Sequence, residues 1–163
     1  MITTIKAIHC EHSDVDCELR KRIDFLKQFN TVFSLSYDLL VYWIINLNNR
    51  IADNNEDKAQ KTIKDCFDRE VFSYDDWEKY RKPYLKEEDR TLVFYPHGAL
   101  HLLQTEDGSV KKIVTGESRL LEAIEQHWQN NVPLFVSEGD SEEKSRSIVG
   151  NRYLQTIYHQ IFF

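Results

Sequence analysis

Glycine is scarce in this chain, and where it stands excludes more than its number does. Five glycines occur among 163 residues: Gly98, Gly108, Gly116, Gly139 and Gly150, none of them paired at close spacing. There is accordingly no Gly-x-Gly-x-x-Gly turn and no Walker-type loop, the backbone cradles that receive a pyrophosphate. The sharp Gly-x-Ser-x-Gly elbow of a hydrolase is also missing, so no serine triad is expected. Cysteine is sparse: Cys10, Cys17 and Cys66 are an odd count without disulfide-like spacing, which suits a reducing compartment. Long apolar runs are lacking too. The longest, Leu39 to Ile45, falls far short of the ~18 residues that span a bilayer. Met1 to Lys6 shows no apolar run of the signal-peptide kind. A cytoplasmic chain with no membrane partner is therefore expected. Basic excess is absent, since 21 Lys and Arg against 27 Asp and Glu leave a net charge of -6. That gives no electrostatic reason to expect nucleic acid.

What is present is ordinary globular material for a single domain over residues 1–163, with 41% hydrophobic and 29% charged residues. Leu19, Ile23, Leu26 and Phe29 repeat at helical spacing and predict an amphipathic helix over Glu18–Phe29. Val32 to Ser36 reads as a strand. Asp38 is placed to cap a helix from Leu39 to about Leu47 that is apolar all round and hence buried. A polar and aromatic insertion is expected at about 48–88, with Asn48 to Lys64 a surface excursion and Phe67 to Lys86 packed on the sheet rather than part of it. Thr91 to Tyr95 is a second buried-type strand. Around Asp107-Gly108 the pattern predicts a small β-hairpin. Ser118 to Trp128 reads as a helix, Pro133 to Ser137 as a third buried strand, and a further helix starts near Asp140, with Glu143 completing a capping-box-like pair. Strands alternating with helices predict an α/β fold with a mainly parallel, Rossmann-like sheet flanked by helices.

Ligands of such sheets bind at the carboxyl ends of the strands. Two runs place polar side chains there: Phe33-Ser34-Leu35-Ser36-Tyr37-Asp38 and Phe94-Tyr95-Pro96-His97-Gly98-Ala99-Leu100-His101. A neutral His97 would serve as a base on a hydroxyl, or simply satisfy a carbonyl at a strand end. Gly98 would allow another group to approach the backbone closely. Asp38 would orient a hydroxyl or a water, or only cap the following helix. Ser34 and Ser36 share one strand face and Tyr37 points to the other. The turn at Ser137 to Asp140 reads first as a helix cap; alternatively Ser137 or Glu138 would meet a neutral ribose hydroxyl, since the surrounding carboxylates disfavour phosphate. His9, Cys10, His12 and Cys17 cluster in sequence, but their spacing matches no paired zinc-ligand pattern, so no metal is expected.

Three segments together, Val32 to Trp43, Val93 to Leu102 and Pro133 to Lys144, resemble a bacterial family called domain of unknown function 4917, which belongs to the sirtuin-like group. The resemblance runs from about Ile8 to Leu154. It implies a Rossmann-like domain, NAD as cofactor, and cleavage of NAD in anti-phage defence. In that group an Asn-x-Asp motif holds the ribose and nicotinamide region, and a His acts as base on a ribose hydroxyl. By position Ser36 and Asp38 fall on the first motif and His97 on the second. The resemblance thus makes His97, Asp38 and Ser36 the catalytic set; Ser34, Tyr37, Gly98, Ser137 and Glu138, at the same strand ends and turns, are expected to bind the cofactor.

Ser36 stands where the family pattern has Asn, and a hydroxyl lacks the paired donor and acceptor of an amide. The family's Gly-rich phosphate loop before the first strand and its Gly-His-Ser-Leu-type strand end after Leu154 have no counterpart in the chain. The expectation is an internal piece of a family domain, incomplete in its sheet and inactive alone, of NAD glycohydrolase type if active. A non-enzymatic interaction or oligomerisation protein, with a partner chain or second copy completing the sheet near Ile161-Phe162-Phe163, is the alternative, and a nucleotide sensor without turnover lies between the two.

Overall fold

Thr91, Leu92, Val93 and Phe94 form a strand buried at every position, and such an all-apolar run belongs in the middle of a parallel sheet. The computed structural model, which describes residues 5, 9–53, 61–81, 90–115, 119–136 and 140–161, places it there. Helix α1 (His12–Leu26) leads to β1 (Thr31–Phe33), and helix α2 (Leu40–Asp53) to β2 (Ile63–Lys64). Strand β5 (Thr91–Phe94) then enters between β1 and β2, parallel to both. Helix α1 buries Leu19, Ile23 and Leu26 against α2. It starts earlier than its apolar spacing predicts, because the Glu11 N–H donates to the Asp14 carboxylate at 3.3 Å and so fixes the first turn. Phe29 lies beyond its end and is exposed. Helix α2 runs on past Leu47, since the partly buried Ile51 continues the apolar face one turn further.

A second sheet is antiparallel throughout. Its strands are β3 (Phe67–Asp68), β4 (Val71–Phe72), β6 (Gly98–Gln104), β7 (Val110–Lys112) and β8 (Val132–Phe135), in the order β3-β4-β7-β6-β8. The fold is thus mixed α/β, and among the described residues the parallel sheet is the smaller of the two. Two expectations change. The aromatic segment after residue 66 is woven into the second sheet rather than laid upon it: Phe67 and Phe72 are buried opposite one another, across a tight turn in which Arg69 takes a φ of 54°. The strand at residues 132–135 pairs antiparallel with β6, not parallel with β5. Its apolar run fits either sheet, and only the path of the chain decides. The predicted hairpin is β6–β7, turning through Gly108 at a φ of 76°. Helices α3 (Leu120–Trp128), α4 (Ser141–Val149) and α5 (Arg152–Thr156) follow, with a final wide turn at Ile157–Ile161. Ile161 packs on the core instead of standing free; Phe162 and Phe163 lie outside the described residues.

The sheets meet where β5 passes into β6 through Tyr95, Pro96 and His97. There the Tyr153 hydroxyl of α5 accepts the Tyr95 N–H at 3.0 Å, while its ring packs on Phe72 and Phe67 of the second sheet, 4.8 and 5.8 Å away between centroids. Gly98 opens β6 at a φ of 82°, and a Cβ on it would lie 1.9 Å from the Leu134 carbonyl oxygen of β8. The close neighbour that Gly98 admits is therefore a strand of its own chain. Gly98→Ala combines backbone strain with a backbone collision, and is expected to cost about 3 kcal/mol or more. Urea denaturation would show this as a lower midpoint, and amide exchange as loss of protection across β8. An unchanged midpoint would contradict the packing described.

Candidate functional site at the carboxyl ends of the parallel strands

The runs that follow β1 and β5 lie side by side because their strands do. The Ser34 N–H continues the ladder onto the Phe94 carbonyl at 2.9 Å, and Ser34 itself is buried. Beyond it, Tyr37 ties three segments together. Its carbonyl accepts the Leu100 N–H at 2.9 Å, its hydroxyl donates to the Val136 carbonyl at 2.8 Å, and its ring packs edge-on against Phe135. Val136 in turn donates its N–H to the His97 carbonyl at 2.9 Å. Ser36, Asp38, His97 and Gly98 are thereby gathered at one end of the parallel sheet. Ser137 and Glu138 lie outside the described residues.

Side-chain contacts divide this group. The Ser36 hydroxyl donates to Asp38 Oδ2 in a short hydrogen bond, and Asp38 Oδ1 accepts the Leu40 N–H at 2.8 Å. Asp38 therefore caps α2, the plainer of its two expected roles, while Ser36 steadies it. His97 is half-buried, and its link to the pair runs through the backbone of Val136 and the side chain of Tyr37. Tyr37 acts here as a structural clamp.

The start of α2 would ordinarily attract an anion. Here the Leu39 N–H donates to His9 Nε2 at 3.2 Å and the next N–H to Asp38, and the carboxylate brings negative charge of its own. Neutral hydroxyls suit this corner better than phosphate. His9 Nδ1 lies 2.8 Å from the Cys10 carbonyl, so both ring nitrogens are engaged within the chain. Burial, joined by the Asp14 and Asp38 carboxylates, pushes the Cys10 thiol up and keeps it protonated, which disfavours both nucleophilic attack and metal ligation. Among the described residues, no cluster of three His, Cys, Asp or Glu could hold a metal ion.

A second polar group lies beside the first, and the sequence gives its members no role, although Tyr95 and His101 belong to the second run. Asp65 follows β2 and Tyr95 follows β5, so both lie at the carboxyl end of the same sheet. Asp65 forms a buried ion pair with Lys112 of β7, Oδ2 to Nζ 2.7 Å. His101 of β6 is wholly buried between Tyr42 and Tyr95, with ring centroids 4.4 and 5.0 Å away. Neither its ring nitrogens nor the Tyr95 hydroxyl has a hydrogen-bond partner among the described residues. Burial, with the Lys112 cation adding to it, lowers the His101 pKa from 6.5 to about 3. Burial likewise raises Tyr95 well above the ordinary phenol range, with Asp65 the next cause. The signal in the sequence is a lone His within Ala99-Leu100-His101-Leu102-Leu103, a strand apolar on both faces, where His is out of place.

A family model described as a domain of unknown function, DUF4917, matches residues 1–163. The chain belongs to the DUF4917 family. The match reaches both ends of the chain, beyond the span of about Ile8 to Leu154 over which the resemblance was traced. No curated protein and no solved structure matches this DUF4917 chain. Among its described residues no helix is long and apolar enough to cross a membrane.

The buried imidazole makes stability pH-dependent in a definite sense. The unfolded chain takes up the proton on His101 below its ordinary value of 6.5, whereas the folded chain holds it neutral down to about 3. Stability linked to His101 is complete above that upper value and is lost as pH falls toward the lower one, by about 4 kcal/mol over the whole window. His101→Phe should remove this part of the acid limb and leave stability at pH 7 unchanged or higher, because an unpartnered buried imidazole is replaced by an apolar ring. Urea midpoints measured from pH 7 to pH 3 would show it. An identical acid limb in the variant would refute the assignment.

Proposed function

We propose that this DUF4917 chain is a sirtuin-like module that binds the ribose and nicotinamide end of NAD at the carboxyl ends of β1 and β5, without efficient turnover. One observation carries the reading. Ser36, Asp38 and His97 are supplied by neighbouring parallel strands and are held together by Tyr37 and Val136, the position at which open α/β sheets take their ligands. NAD would supply a nicotinamide–ribose bond whose cleavage passes through a cationic, oxocarbenium-like state. The chain's own part is binding and orientation. Ser36 and the Oδ2 side of Asp38 present polar groups to ribose hydroxyls, and the half-buried His97 offers a ring nitrogen to a hydroxyl proton.

The pyrophosphate fits less well. The Leu39 and Leu40 N–H groups that open α2 already have acceptors, and Asp38 is an anion beside them. Weak fixation of the cofactor costs reactive alignment more than it costs binding, which favours binding over catalysis.

Thermal unfolding with added ligand tests the proposal. At ten times a dissociation constant of ~0.1 mM, NAD would stabilise the fold by about 1.4 kcal/mol. Nicotinamide riboside should reproduce most of that shift, inorganic pyrophosphate none, and His97→Ala should lose most of it. Nicotinamide release should stay at the solution background. No shift with NAD or nicotinamide riboside would overturn the reading, and self-association in the same samples would favour the interaction role. Rapid release abolished by His97→Ala would establish an enzyme and correct the statement on turnover.

A further inference from the structure

His9 stands before α1, outside every described element, yet both of its ring nitrogens are engaged within the chain. Nδ1 lies 2.8 Å from the Cys10 carbonyl oxygen, and a carbonyl only accepts, so Nδ1 must carry the proton. Nε2 lies 3.2 Å from the Leu39 nitrogen, and a backbone N–H only donates, so Nε2 must be bare. The two contacts together dictate a single neutral tautomer. The ring stands edge-on to the buried Trp43, 5.4 Å between centroids at 89°, and His12 flanks the same indole at 5.2 Å. Trp43 belongs to the first turn of α2, its N–H bonded to the Leu39 carbonyl at 2.9 Å. His9 therefore grips that turn at two points.

The amide that His9 holds is the one joining Asp38 to Leu39. A peptide unit is planar, so fixing its N–H also fixes the carbonyl of Asp38 and the torsion that aims Asp38 along the helix start. The following N–H is held by Asp38 Oδ1, and Oδ2 receives the Ser36 hydroxyl. Taken in order, His9 orients the peptide, the peptide orients Asp38, and Asp38 orients Ser36. We infer that His9 is a positioning residue for the candidate site, setting the direction of the Asp38 carboxylate through the Asp38–Leu39 peptide. The structural half of this inference stands on geometry alone; its effect on ligand rests on the function proposed above.

The experiment uses the full chain labelled with ¹⁵N. Imidazole correlation spectra should show His9 protonated at Nδ1 and bare at Nε2, with Nε2 coupled across the hydrogen bond to the Leu39 amide. An Nε2-protonated ring would overturn the inference. In His9→Leu, exchange of the Leu39 amide should speed up about 10-fold or more, in keeping with one lost hydrogen bond, and NAD should bind about 10-fold more weakly. His9→Gln, whose Oε1 reaches the place of Nε2, should restore both to within about 3-fold of the parent chain. Unchanged Leu39 exchange in His9→Leu would sink the inference. Should that variant not fold, the parent spectrum and the Gln variant decide between the same two outcomes. If the tautomer and exchange results appear but the parent chain ignores NAD, the proposed function fails while the positioning of Asp38 stands. If NAD binds equally to all three chains, the function stands and the positioning fails.

Discussion

The backbone contact between Gly98 and Leu134 sets the terms for the rest of the molecule. Three residues, Tyr95 to His97, separate the buried middle strand of one sheet from the start of the longest strand of the other. The chain has no room to adjust between them. β8 must come to within contact of a bare glycine backbone, and only then can the Val136 N–H reach the His97 carbonyl and the Tyr37 hydroxyl reach the Val136 carbonyl. The corner at which the runs carrying Ser36, Asp38 and His97 meet is thus a consequence of how two sheets are joined. A Cβ at that one position would separate them.

The same junction explains why polar chemistry is buried beneath it. Strands β5 and β2 deliver Tyr95 and Asp65 to the sheet end that would normally open onto solvent, and the antiparallel sheet closes over them with His101 and Lys112. Lys112 answers Asp65 with a 2.7 Å ion pair, and its cation further disfavours charge on His101. Removing either member of such a pair would leave the other charged in a dry environment, whereas the neutral His101 carries only the smaller cost of unmade hydrogen bonds. The carboxyl end of the parallel sheet is therefore divided. Its β1 side carries Ser36 and Asp38, and on its β2 side Asp65 and Tyr95 are buried.

Much of this was legible from local pattern. Helices near residues 18–29, 39–47 and 118–128 were readable from apolar spacing, though the first starts earlier and the second ends later, and the one from Asp140 was readable from its cap, which accepts the Glu142 and Glu143 N–H groups at 2.9 Å. The middle strand and the Asp107-Gly108 hairpin were readable for the same reason, since each is fixed by neighbours in sequence. What could not be read was pairing. Leu134 and Phe135 satisfy a parallel or an antiparallel neighbour equally, and Phe67 and Phe72 show the aromatic content of a packed loop as readily as that of a strand. Of the site, the adjacency of the runs after β1 and β5 was legible, because both end apolar strands. His9 and His101 were not, because the bond from His9 to Leu39 spans thirty residues and the burial of His101 depends on rings from two other elements.

The two oxygens of Asp38 are engaged differently. Oδ1 faces the Leu40 N–H and Oδ2 faces the Ser36 hydroxyl. A cap of this kind contributes about 1 kcal/mol, so a substitution at Asp38 would alter fold and site together, and its effect on either could not be assigned. The separable handles lie one step away on either side. Ser36 reaches Oδ2 through a hydroxyl that also accepts the Asp38 N–H at 3.5 Å, and His9 acts on the peptide without touching the carboxylate. The negative charge that completes the cap also sets the character of the corner. An anion brought to this helix start would meet a carboxylate already stationed there, while a hydroxyl would find an acceptor. The way α2 begins thus supports the neutral, hydroxyl-bearing ligand proposed for this corner.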